Sequence, residues 1–139
     1  MARFLITGAN GQVGYCLTQQ LKDKYELLAV DRDELDITDQ HAVQKAVQSF
    51  QPDIIINAAA HTAVDRAEVE VELSEAINVK GPQFLAEAAK SVGATILHIS
   101  TDYVFDGQGE GKYKETDITD FSLFCDFFPT CIKMLLFLI

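Results

Sequence analysis

Three glycines, Gly8, Gly11 and Gly14, stand in the stretch TGANGQVG at the spacing G-x-x-G-x-x-G, between an apolar run at residues 3–7 and a segment of helical periodicity. That placement suits phosphate chemistry. The first glycine permits a tight turn, the second lets backbone come close to a pyrophosphate, and the third lets helix pack on strand. Free amides at the helix start, with the helix dipole, then hold the anion. Glycine turns are common, so the trio alone says little; an acid at the end of the second strand makes the pattern specific. Asp31 is that acid, placed to accept hydrogen bonds from an adenosine ribose. It favours a free 2′-hydroxyl, because a 2′-phosphate would set two anions face to face. Arg32 beside it softens that preference, so NADH and NADPH both stay open as coenzymes.

The elements that must position this loop follow from periodicity. RFLIT (3–7), YELLAV (25–30), DIIIN (53–57) and TILHIS (95–100) are short apolar runs and read as four strands. Residues 12–24 carry Val13, Cys16, Leu17 and Leu21 at helical spacing. A second helix is expected over Asp39–Phe50, with Val43, Ala46, Val47 and Phe50 on one face and Thr38 or Asp39 as its N-cap. A third helical segment runs from Leu73 to Val92, bent or divided at Gly81-Pro82. Strands that are apolar throughout, alternating with helices, predict a parallel sheet covered on both faces, a doubly wound α/β domain of the Rossmann-like, NAD(P)-binding kind. A flavodoxin-like strand order is the alternative. The three histidines differ: His41 belongs to a helix surface, His98 to the core of an apolar strand, and His61 to a loop beyond strand three. Ser100 and Thr101 follow the fourth strand at its carboxyl end, where such sheets place ligands.

Eleven basic against 21 acidic residues give a formal charge of −10, which disfavours nucleic acid and anionic membrane surfaces as partners. The cysteines, Cys16, Cys125 and Cys131, form no CxxC pair, so neither a metal site nor a disulfide framework is expected. The chain opens directly into a strand pattern, and a cytoplasmic protein is the expectation.

The glycine spacing, together with NAAAHTAVDRAE (57–68) and ISTDYVFDG (99–107), resembles the extended short-chain dehydrogenase/reductases, and within them the dTDP-4-dehydrorhamnose reductase group of dTDP-L-rhamnose and O-antigen synthesis. The likeness covers residues 1–120. The resemblance implies that Gly11, Gln12 and Val13 line the coenzyme diphosphate, with Gly8 and Gly14 shaping the loop. It implies that Asp31 holds the ribose, that Asp36 and Ile37 flank the adenine, and that Ala60, His61 and Thr62 touch the middle of the coenzyme. Ile99 would lie towards the nicotinamide, Thr101 would hydrogen-bond the reacting sugar oxygen as the catalytic hydroxyl, and Asp102 would meet the dTDP-sugar substrate. For Asp36, the start of the turn before helix two is an equal reading, and for His61 an ordinary solvated side chain is the competing one. A homodimer is open to intact relatives.

The same resemblance implies a proton-donating tyrosine with a lysine four residues on, whose charge lowers the phenol's pKa. The chain holds no Y-x-x-x-K; in register, Cys125 and Pro129 stand at the two places. Fourteen of residues 121–139 are apolar, without helical or strand periodicity, and they read as a tail foreign to a domain of residues 1–120, which would leave the sheet incomplete on its C-terminal side. A non-catalytic nucleotide-binding module, like the regulatory subunit of methionine adenosyltransferase, and a non-functional fragment are the other readings.

Overall fold

A computed structural model describes residues 1–61, 70–100 and 137–138. Four parallel strands carry the fold: β1 (Arg3–Thr7), β2 (Glu26–Val30), β3 (Ile54–Asn57) and β4 (Thr95–Ser100). Between them lie α1 (Gln12–Leu21), α2 (Gln40–Phe50), α3 (Val71–Glu75), a π-helical turn over Ala76–Lys80, and α4 (Gly81–Val92). A two-residue strand, β5 (Phe137–Leu138), pairs in parallel with Ile99 and Ser100, so the expected free edge of β4 carries a short partner.

The spatial order is β2-β1-β3-β4-β5. This parallel sheet with its crossover helices is the doubly wound, Rossmann-like architecture that the alternating pattern predicts. Because β2 and β3 flank β1 on opposite sides, right-handed crossovers send α1 to one face of the sheet and α2 and α4 to the other. The helices follow that rule: α1 packs on β1 and β2, while α2 packs on α4. The connections wind outward in opposite directions from β1 and β3, and a crevice opens between these two strands at their carboxyl ends.

Register builds the core. Leu28, Leu5, Ile55 and Ile96 pair side by side across the sheet, on the face covered by α2 and α4. Val43 and Val47 from α2 and Leu85 from α4 meet them with no exposed surface. Burying each such side chain contributes roughly 1.5–3 kcal/mol. Of the two candidate caps for α2, the structure uses Asp39, whose Oδ1 accepts the Ala42 amide at 3.0 Å. The first helix is shorter than its apolar spacing suggested, ending at Leu21.

The long helical segment is not broken at Gly81-Pro82. Pro82 has no N–H to give the preceding turn, and the chain widens into the π turn, where the Gly81 amide reaches back five residues to the Ala76 carbonyl. Pro82 then sits in the first turn of α4, where its missing donor costs nothing.

Candidate functional site

The loop after β1 turns at Gly8, whose φ of +70° is left-handed. A β-carbon on Gly8 would stand 2.7 Å from the Ala58 carbonyl carbon and the Ala59 nitrogen, so this loop lies directly against the one leaving β3. A β-carbon on Gly14 would come within 2.0 Å of the Gly8 carbonyl oxygen. The third glycine therefore lets α1 seat on the loop's own first residue, where the sequence suggested a strand. Gly11 differs: its β-carbon would meet only the Gly8 oxygen, at 3.2 Å, and otherwise faces open space. Among the described residues, the amides of Gln12, Val13 and Gly14 have no protein acceptor, as expected of a first helical turn.

Two bonds stitch the loop to the end of β2. The Ala9 amide donates to the Val30 carbonyl at 3.1 Å, and the Asn10 amide donates to Asp31 Oδ2 at 2.8 Å. Asp31 Oδ1 accepts the Arg32 amide at 2.7 Å. The acid expected to hold a ribose is thus also the tether of the glycine loop.

Gly8, Gly11, Asp31 and Arg32 form one side of a crevice of ≈ 270 Å³. Leu35 to Thr38 form its floor, Ala58 to Ala60 the wall from β3, and Leu73 and Ile77 the helical wall. Asp36 accepts both the amide and the hydroxyl of Thr38, at 2.9 and 2.7 Å. Those hydrogen bonds, ahead of the nearby Arg32 charge, hold its carboxyl below the ordinary value. Ile37 is 5% exposed and packs against Gly81, where a β-carbon would stand 2.6 Å from Ile37 Cδ1. Its side chain belongs to the core, and what it presents to the crevice is limited.

Of the residues expected at a site, Gly8, Gly11, Asp31, Asp36, Ile37 and Ala60 come together around this crevice. Gln12, Val13 and Gly14 stand beside it at the start of α1, and Ile99 lies further along β4. Thr62, Thr101 and Asp102 lie outside the described residues. The imidazole of His61 turns to the helical wall, with Nδ1 at 3.0 Å from Ser74 Oγ and Nε2 at 3.5 Å from Glu70. Its backbone is bracketed by Asn78, which accepts the His61 amide at 2.8 Å and donates to its carbonyl at 3.2 Å. Leu73, Ile77 and Asn78 were not singled out from sequence as site residues. The sequence offers only Pro82 as a signal there, since its missing N–H disturbs the preceding turn; the π turn itself, which holds Ile77 at the crevice and Asn78 at His61, is seen in the structure.

Beneath the crevice, register places Thr7, Asn57 and His98 in one row on the core face. Asn57, with no exposed surface, accepts the Thr7 hydroxyl at 2.7 Å and the Ala59 amide at 3.1 Å on Oδ1. An amide can only donate, so Oδ1 is the acceptor and Nδ2 donates to His98 Nδ1, 3.0 Å away. His98 is therefore neutral with its proton on Nε2. Burial lowers its pKa from 6.5 to about 4. The unfolded chain binds that proton more readily, so this stabilisation is complete above pH 6.5 and is lost as pH falls towards 4. We expect urea midpoints to drop across that window by the equivalent of about 2 to 3 kcal/mol. His98→Phe should abolish this slope, whereas any effect of Asp36 belongs below its ordinary value of 3.8. An unchanged slope in the variant would remove His98 as the cause.

The family described as the RmlD substrate binding domain matches residues 2–121. The chain belongs to that family. Among RmlD-family relatives, dTDP-4-dehydrorhamnose reductase of Aggregatibacter actinomycetemcomitans is 58% identical over 120 residues, covering 85% of this chain and 41% of the relative. The spore coat polysaccharide biosynthesis protein SpsK of Bacillus subtilis is 42% identical, covering 86% and 43%. The crystal structure of the dTDP-4-dehydrorhamnose reductase of Clostridium acetobutylicum superposes with a TM-score of 0.81 at 49% identity, covering 85% of this chain and 42% of that one. The Bacillus anthracis reductase, solved in complex with NADP, gives 0.80 at 44% identity, covering 86% and 43%. The chain thus spans about two fifths of the length of these RmlD-family proteins. No helix among its described residues is long and apolar enough to cross a membrane.

Proposed function

We propose that this chain binds NAD(P)H in the crevice between β1 and β3, as the coenzyme-binding part of a cytoplasmic reductase. The reaction is reduction of the 4-keto group of dTDP-4-dehydro-L-rhamnose to dTDP-L-rhamnose. One observation carries the reading: at the switch point of the sheet, the glycine loop offers three amides without an acceptor among the described residues, beside the Asp31 carboxylate.

The fit is physical. A diphosphate needs donors and room, and Gly11 to Val13 supply both, with the dipole of α1 behind them. Asp31 keeps lone pairs for ribose hydroxyls after accepting its two amides. Leu35, Leu73 and Ile77, with the backbone of Asp36 and Ile37, offer an apolar slot for adenine. Ala60, His61 and Thr62 take the middle of the coenzyme, and Ile99 the nicotinamide side. When bound, the coenzyme supplies a hydride. Thr101 orients the sugar oxygen that receives the proton, with Asp102 on the substrate.

The coenzyme unit of this reading is residues 1–120, with 121–139 outside it. Because the chain holds no Y-x-x-x-K, it binds coenzyme without completing turnover. Calorimetric titration should give saturable heat with a reduced nicotinamide coenzyme, while coenzyme oxidation with dTDP-4-dehydro-L-rhamnose stays far below that of an intact reductase. Absence of heat with both NADPH and NADH removes the binding reading; turnover at the rate of an intact enzyme removes the assignment of the proton donor.

A further inference from the structure

The helical wall of the crevice has little core to hold it. α3 is five residues long, too short to persist by itself, and neither it nor the π turn holds a buried residue. Ile77 is only part-buried against the core, yet it and Leu73 close the crevice on this side. Among the described residues, the four polar contacts that join these elements to the loop leaving β3 all fall on His61. Asn78 takes its backbone, and the ring reaches α3. A carboxylate can only accept, so the ring proton sits on Nε2, facing Glu70 across 3.5 Å, and Nδ1 accepts the Ser74 hydroxyl at 3.0 Å. The imidazole is 15% exposed, and both it and Ser74 stand behind the residues that line the crevice.

We propose that the His61 imidazole is a positioning group: through Ser74 it latches α3 to the loop leaving β3, and so holds Leu73 and Ile77 in place against the adenine half of the coenzyme. The proposal rests on the crevice being the coenzyme site. The His61 backbone keeps its place beside the middle of the coenzyme, while the ring acts at one remove, on the wall. Ordering that wall before the ligand arrives raises affinity, because binding no longer has to order it. The serine hydroxyl can donate to the ring or accept from it, so the latch survives protonation of the imidazole.

The test is a calorimetric titration of the protein, His61→Ala, Ser74→Ala, the double variant and His61→Asn with NADPH and with ADP-ribose, which keeps the adenine half and lacks the nicotinamide. Thermal melts check folding. Each single alanine variant should lose about fivefold to tenfold for both ligands, and the double variant no more than that, since the same contact is removed once. His61→Asn, whose amide reaches Ser74 from the place of Nδ1, should recover most of the loss. Ser74→Ala removes one hydroxyl from a half-buried position, so it decides the matter if His61→Ala melts early. Parental affinity in Ser74→Ala while His61→Ala binds weakly would mean that the ring meets the coenzyme itself, and would overturn the latch. Losses that add in the double variant, or parental affinity throughout, would overturn it too and leave the crevice standing. If the unsubstituted protein binds neither ligand, the crevice reading itself falls, and this proposal with it.

Discussion

Gly14→Ala should destabilise the protein by at least about 3 kcal/mol and abolish coenzyme binding with it. The added carbon would stand 2.0 Å from the Gly8 oxygen, 2.8 Å from the Gly8 carbon and 2.9 Å from the Ala9 α-carbon. All three are backbone atoms, so no side-chain rotation relieves the contact. Gly8 itself cannot retreat, because its other side is closed by the Ala58 and Ala59 backbone. The remaining way out is to lift the first turn of α1 from the loop, which surrenders the packing of α1 on β1 and β2. Chemical denaturation of the variant beside the parent gives the difference directly. A loss under about 1 kcal/mol would mean that the loop yields more easily than its contacts imply.

Gly11→Asp separates binding from folding. The position is exposed, serves as the N-cap of α1, and has only the Gly8 oxygen near a prospective β-carbon. Aspartate is a favourable N-cap in its own right, so stability should change by less than about 1 kcal/mol. Its carboxylate, however, would occupy the ground where the diphosphate is to lie and would take the Val13 or Gly14 amide for itself. Coenzyme affinity should fall by about a hundredfold or more, through like-charge repulsion and loss of donors. The two glycine variants thus have opposite profiles. A Gly11→Asp protein with parental affinity would show that the loop does not hold the phosphates.

How far the fold can be read without coordinates depends on which constraint is local. β1 and β4 match their apolar runs end to end, because a short continuous apolar stretch bounded by breakers has few other uses. The Val43 and Val47 stripe likewise fixes the buried face of α2. Strand order is not local: alternating strands and helices accept several windings, and the order β2-β1-β3-β4 needs the sheet itself. The π turn shows the same limit, since the absent N–H of Pro82 announces strain at a place without saying how the chain absorbs it.

The site divides in the same way. That Gly8, Gly11 and Asp31 meet at one crevice was legible, because the glycine spacing after β1 and an acid after β2 point to the same place. The row of Thr7, Asn57 and His98 was not, since its members are 50 and 41 residues apart and meet only through strand register. His98 read correctly as a core histidine, but nothing local in the sequence pairs it with Asn57. The second duty of Asp31 was also hidden, because accepting the Asn10 amide depends on how closely the glycine loop approaches the end of β2.

The central claim is that the crevice between β1 and β3 receives the coenzyme. Backbone amide shifts of the isotopically labelled protein, followed during titration with NADPH, test it most directly. The account predicts saturable shifts centred on Gly11 to Gly14, Asp31 to Ile37 and Ala58 to His61, with α2 beyond Val43 and the distal half of α4 left still. Saturable shifts confined to other parts of the sheet, or none at saturating coenzyme, would contradict it.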